Sequence, residues 1–219
     1  MTRHGDLDYA QARLGARYGG RPDEAAWRTI GVIRDFPALL DATRQGPFRR
    51  WVAGIAPDAD AHAIEAAMRS SWNALCDEVC SWMPAEWQPA VQCARALVDL
   101  PIAAYLARGE PRLAWMSDYP KPGPNADPDA LGQLAAWRDE WQRRVPAPAR
   151  RDPTLRELGR LLRSSSRREL GARLPPVYRR ALLEPSAAFV FLALSALDME
   201  RLRGELLRRV LFPRLRMAA

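Results

Sequence analysis

The stretch AFVFLALSALDMERLRGELLRR, residues 188–209, begins as apolar as a membrane span and ends as charged as a solvated helix, with no proline to break it. As a helix, the apolar run from Ala187 to Leu197 extends about 16 Å, against the roughly 30 Å of a bilayer core, so it reads as a buried helix and not as a span. Its charged continuation, with Asp198, Glu200, Arg201, Arg203 and Glu205 at i,i+3 or i,i+4 spacings, keeps the same helical register.

The same periodicity recurs outward from this stretch. In DAHAIEAAMRSSWNALCDEVCSWM, residues 60–83, Ile64, Met68, Trp72, Leu75, Cys76, Val79 and Met83 share one helical side, and Pro84 follows as a stop. EWQPAVQCARALVDLPIAAYLARG resumes the pattern with Val91, Ala94, Leu97 or Val98, Ile102, Tyr105 and Leu106, ends at Gly109, and should be kinked or split by Pro101. A first helix is expected in DLDYAQARLGARY, with Tyr9, Ala12, Leu14 and Ala16 on its apolar side. A second, opened by Pro22, Asp23 and Glu24, buries Trp27, Ile30 and Val32 or Ile33, and a short one follows in FPALLDATR. Pro175 and Pro176 should precede the last helix. No window alternates as a strand would, so the fold class is all-α. SDYPKPGPNADPD cannot be helical and marks the boundary: an N-terminal helical lobe at 1–116, a proline-rich linker at 117–129 and a C-terminal helical lobe at 130–219.

Charge is unevenly placed. The chain carries a formal +7, yet residues 150–219 hold 16 basic and 7 acidic side chains while residues 1–149 are slightly acidic. Only Lys121 is lysine, a bias that reflects coding composition as well as selection, and the charge signal is discounted accordingly. Arg156, Arg160, Arg163 and Arg167 repeat at i,i+4,i+7,i+11 opposite Leu155, Leu158, Leu161 and Leu162 and should form one basic stripe. Such a stripe could hold nucleic acid phosphates or lipid headgroups, but no aromatic residues interleave on it to stack bases. A basic helical module for nucleic acid or an anionic membrane surface is therefore the alternative function.

Catalytic chemistry finds little to work with. His4 and His62 are the only histidines, no phosphate-binding glycine loop is present, and the paired carboxylates Asp6/Asp8, Asp58/Asp60 and Asp127/Asp129 lie at helix starts, where capping accounts for them. Cys76, Cys80 and Cys93 form an odd set, and the i,i+4 spacing of the first two suits a core stripe better than a zinc knuckle. Catalytic, cofactor and metal residues are all expected to be absent. With no apolar leader in MTRHGDLDYA, the expected setting is the cytoplasm.

Three places resemble the C-subunit family of A/V-type ATPases, whose eukaryotic V-ATPase member is called the d subunit. The first is DLDYAQARLGARYGG, with Tyr9, Ala12, Arg13 and Arg17; the second is FPALLDATRQGPF; the third is FLALSALDMERLRGELLRR, where an apolar run leads into Asp198, Glu200, Leu202 and Arg203. CARALVDLPIAAYLARGE looks like an earlier copy of that closing helix, with Asp99 in the place of Asp198, while Ile102 and Arg201 stand where the family has asparagine. The chain is shorter than typical members. The resemblance implies a funnel of repeated helical bundles in two lobes and a non-enzymatic role coupling the central stalk to the membrane rotor ring during proton or sodium transport, with the junction at Asp198 dividing scaffold from surface so that the residues after it reach an exposed rim. Its partners would be those other ATPase subunits, with no small-molecule substrate, no cofactor and an indirect, peripheral attachment to the membrane. The expected partner-binding residues are Arg13, Arg17, Asp198, Glu200 and Arg203, with the stripe Arg156, Arg160, Arg163 and Arg167. Arg13 and Arg17 could equally pair with acidic neighbours within the chain.

Overall fold

The computed structural model describes residues 4–113, 116, 119 and 128–212, and among them every regular element is a helix. In chain order these are α1 (His4–Gly19), α2 (Glu24–Val32), α3 (Phe36–Arg44), α4 (Arg49–Val52), α5 (Ala61–Trp82), α6 (Gln88–Cys93), α7 (Leu100–Ala107), α8 (Ala130–Arg144), α9 (Pro153–Ser164), α10 (Arg167–Arg180) and α11 (Ala187–Leu211). Short 3-10 helices, Ala94–Asp99 and Ala147–Arg151, join α6 to α7 and α8 to α9.

The starts of these helices follow from local chemistry. Asp23, Asp35 and Asp60 sit at N-caps in extended backbone, and each carboxylate accepts from the amide three residues on. Such caps satisfy amides that the first turn leaves without partners. Gly109, in the left-handed conformation at φ 78°, follows α7, where a side chain would be strained.

Two long helices form the centre. The predicted stripe of α5 is buried without exception, and Trp72 donates from its indole to Ala94 O at 3.0 Å. α11 packs on α5, α10, α1 and α3, and its first half buries Phe189, Val190, Phe191, Leu192 and Leu194. Burying side chains of that size contributes about 1.5–3 kcal/mol each before entropy is counted. Aromatic pairs bracket this core, with Trp27 edge-on to Phe48 at 4.6 Å and Trp141 edge-on to Phe189 at 5.4 Å.

The expected boundary at 117–129 falls almost wholly outside the described residues. On either side of it the helices contribute to a single cluster of buried side chains, since α8 packs on α6 and α7 while α11 packs on α1 and α5. Pro101 lies in the first turn of α7, and the segment containing it is split by the 3-10 turn Ala94–Asp99. Gln88–Ala107 as a whole has the length and mean hydropathy, 1.3, of a membrane span, and in the fold it lies against α5 and α8.

Four expectations are corrected. The buried side of α1 is Ala10, Leu14 and half-buried Tyr18, at i,i+4,i+8, whereas Tyr9, Ala12 and Ala16 are exposed. Pro175 and Pro176 lie inside α10 and do not merely precede α11. The carbonyls that lose their amide partners there belong to Gly171 and Ala172, both on exposed residues where water can serve instead.

The basic stripe is broken as well. α9 ends at Ser164, and Ser166 caps α10 with Glu169 reaching back to the Ser166 amide at 2.6 Å, a reciprocal capping box. Arg167 therefore opens a different helix from Arg156, Arg160 and Arg163. Finally, α11 does not pass from scaffold to free rim at Asp198. Asp198, Met199, Leu202, Leu206 and Arg209 are all buried, and one side of the helix stays in the core almost to its end.

Candidate functional site

Asp198 is where the two halves of α11 meet, and hollows open on both sides of it. Its carboxylate is held by Arg21, from the turn after α1, with Nε donating to Oδ2 at 2.7 Å and Nη2 to Oδ1 at 3.0 Å. This two-point geometry matches the guanidinium fork to the carboxylate plane. The Arg21 guanidinium also lies 5.6 Å over the ring of Tyr18, which stacks on Tyr178 at 4.1 Å. Burial raises the Asp198 pKa above the ordinary aspartate value, and the Arg21 hydrogen bonds and charge offset this in part.

One hollow, about 490 Å³, is lined by Arg17, Arg21, Arg49 and Arg50 together with Ser195 and Asp198. The other, about 590 Å³, is lined by Arg21, Arg167, Arg168, Arg201, Glu24 and Asp198. Seven arginines thus converge on a region where the lining carboxylates are Asp198 and Glu24. Arg49 and Arg168 have no acidic partner among the described residues, so they face the hollows with their charge uncompensated. Arginine at the start of a helix opposes the helix dipole, and Arg167–Arg168 in α10 are placed so.

The expected partner-binding residues are mostly engaged within the chain. Arg17 and Arg50 both donate to Glu78 in α5, and Arg13 lies 4.0 Å from the same carboxylate with its guanidinium 5.2 Å over Trp82. Burial opposes ionisation of Glu78, but the hydrogen bonds from Arg50 and Arg17 outweigh it and hold the carboxyl below the usual glutamate value. Glu200 pairs with Arg167 at 2.9 Å and Arg203 with Glu65 of α5. Of the α9 arginines, all three are exposed or half-exposed: Arg163 borders an apolar cup, and Arg156 a small hollow beside Trp141 and Arg150. The structure brings Arg17 and Asp198 to one hollow and Asp198 and Arg167 to the other. Arg13, Arg156, Arg160 and Arg203 do not line either.

Sequence reasoning passed over Arg21, Arg49, Arg50, Arg168 and Arg209, and took Arg201 only as a helix-surface charge. Arg201 donates to Glu24 at 2.9 Å and lies 4.2 Å over the Trp27 ring. That hydrogen bond and charge lower the Glu24 pKa. Arg209, only 7% exposed, turns back into the fold and donates to the carbonyls of Ile30 at 3.0 Å and Ile33 at 2.6 Å, closing the C-terminal end of α2. Cations belong at such an end, where carbonyls lack amide partners.

A second aspartate repeats the chemistry on a smaller scale. Asp99, at the end of the apolar run Ala94–Asp99, lies 3.9 Å from Arg69, whose guanidinium sits 5.5 Å over Tyr119. Its pKa too is raised by burial, offset by Tyr119 and Arg69, while burial pushes the Tyr119 phenol up to about 12.

Among the described residues no group of three or more His, Cys, Asp or Glu side chains is placed to hold a metal ion. Burial pushes the Cys76 thiol up to about 12 and raises Cys80 and Cys93, so all three are protonated small core residues at neutral pH. Chemically, the arginine hollows are suited to hold carboxylates in place by charge-assisted hydrogen bonds. The chain matches no protein-family model, no curated protein and no solved structure.

Proposed function

We propose that this protein is a non-enzymatic coupling subunit of a V-type ATPase, a shortened and divergent relative of the C and d subunits. It joins the central stalk to the membrane rotor ring during proton or sodium transport, as a funnel of two helical lobes attached peripherally at the cytoplasmic side. The observation that carries this reading is the repeated trio of aspartate, arginine and tyrosine at the ends of the two apolar runs that the resemblance pairs as copies. Asp198 is held by Arg21, which lies over Tyr18, and Asp99 faces Arg69, which lies over Tyr119, so the same three residue types meet at both places although the arginine and tyrosine come from different parts of the chain. The hollows beside Asp198 supply a concave, basic surface on which an acidic end of another subunit can seat.

A torque-bearing adaptor needs stiffness more than reactivity. Interlocked aromatic side chains along α11 and the cross-links Arg21–Asp198, Arg203–Glu65 and Arg201–Glu24 join residues more than 130 positions apart and suit that task. The test is purification of the native complex after mild crosslinking. Stalk and ring subunits should copurify with this chain, and Arg49→Glu with Arg168→Glu, which break no internal ion pair, should weaken the stalk contact. If neither stalk nor ring subunits are recovered, the coupling role is wrong.

A further inference from the structure

Beside the second arginine hollow, with which it shares Arg167 and Leu197, lies a cup of about 330 Å³ with the opposite chemistry. Its walls come from the 3-10 turn after α6 and from α8, α9, α10 and α11, and include Trp137, Trp141, Leu158, Leu170, Phe189 and Leu192. The two indoles lie nearly parallel, 9° apart with centroids 6.1 Å apart, and Trp137 directs its N–H to Cys93 O at 2.7 Å. None of the buried polar atoms lacking a partner among the described residues, on Gln11, Asn73, Tyr178 and Ser186, lines the cup. Water inside would find few groups to bond, and an apolar cavity of this kind gains by taking an apolar molecule.

The mouth carries three arginines of unequal standing. Arg138 is paired with Asp139 at 3.0 Å and Arg167 with Glu200 at 2.9 Å. Arg163 has no acidic partner among the described residues, and it reaches back over its own helix: a Cβ on Gly159 would stand 3.5 Å from its Nη1. Its guanidinium lies at the lip, beside the exposed Leu162. An apolar interior closed on several sides by helices, with one uncompensated cation at its edge, is complementary to a tail with an anionic head. A flat partner surface could not fill the depth, and a cationic amphiphile would meet Arg163.

We propose that this cup is a binding site for a single-tailed anionic amphiphile. The aliphatic tail lies against Trp137, Trp141 and Phe189, and the carboxylate or phosphate head is held by Arg163. The site is independent of the coupling role, and either can fail without the other.

Calorimetric titration of the full-length protein with dodecanoate, dodecyl phosphate and dodecyltrimethylammonium, all kept below their aggregation concentrations, tests it. Saturable binding of the two anions with Kd on the order of 10–100 µM is expected, with the cation at least about tenfold weaker. Arg163→Gln should weaken only the anions, by about tenfold, narrowing that gap. Ala196→Phe, which fills the cup, should abolish binding, and Leu162→Asp at the exposed lip should do the same to the anions without disturbing the core. Arg156→Gln, on the same helix outside the cup, should change nothing. The proposal is overturned by no saturable anion binding up to about 1 mM, by equal binding of anion and cation, or by anion binding that survives both cup variants. It is equally overturned if an acidic amphipathic peptide binds at the cup and dodecanoate does not.

Discussion

Asp198 and Asp99 end similar apolar runs and meet the same two kinds of partner, yet they are held very differently. The Asp198 side chain is 11% exposed and gripped at two points by an arginine from 177 residues away. The Asp99 side chain is 37% exposed, and its arginine stands 3.9 Å off, on a helix 30 residues earlier in the chain. The first ties the N-terminal turn to the last helix; the second braces neighbouring elements. One motif therefore does two jobs, and the difference is set by how far water is excluded, because an ion pair is strongly coupled to the fold only where neither partner can be resolvated.

Replacing the arginines would separate the two sites most sharply. Arg21→Met leaves a buried carboxylate without its partner and should cost about 3–5 kcal/mol of stability in urea unfolding. Adding Asp198→Leu to Arg21→Met should recover most of that loss, since the cost lies in the orphaned charge and not in the missing attraction. If the double variant is no better than the single, the pair holds the turn by geometry and the comparison fails.

The pH dependence comes next in size. Both aspartates have folded pKa values above their unfolded ones, so between those values the folded state binds more protons and stability falls as pH rises. That contribution is complete below about pH 4 and is lost as pH climbs through the folded values. Asp198→Asn should therefore flatten the stability profile over that window, and Asp99→Asn should flatten it less. Glu78 works with the opposite sign: its lowered pKa gives stability that is present above the unfolded value of 4.5 and lost as pH falls through the folded one. Glu78→Gln should remove that acid-side loss, which unfolding curves below about pH 5 would reveal.

The smallest effect belongs to Arg69→Met, expected to cost about 1 kcal/mol or less because Asp99 keeps Tyr119 and access to water. A cost near that of Arg21→Met would show that exposure is not what distinguishes the sites.

Much of the fold was legible along the chain. The stripe from Ile64 to Met83 is buried as its spacing requires, Pro84 follows the end of α5, and Asp23 and Asp60 cap the helices their positions announced. The capping box of Ser166 and Glu169 was equally present in sequence, and reading the arginine stripe across it joined two helices into one. Of the candidate site, sequence pointed to Asp198, Arg17 and Arg167 but placed Asp198 at an exposed junction and Arg167 on a stripe with the α9 arginines, and it offered no reason to choose Arg21, Arg49, Arg50 or Arg168 among so many arginines.

Helix class, helix starts and the apolar stripes were determined by the sequence alone, because each depends on residues within about four positions of one another, one helical turn. Which charges are buried, which are spent on internal pairs and which remain facing a hollow was decided only by tertiary packing. Asp198 becomes core rather than rim because the turn after α1 delivers Arg21 to it across the whole chain, and Arg209 because α2 ends where its carbonyls need a donor. A side chain's polarity is written at its own position, but whether water or a protein group answers it depends on elements that meet only after folding.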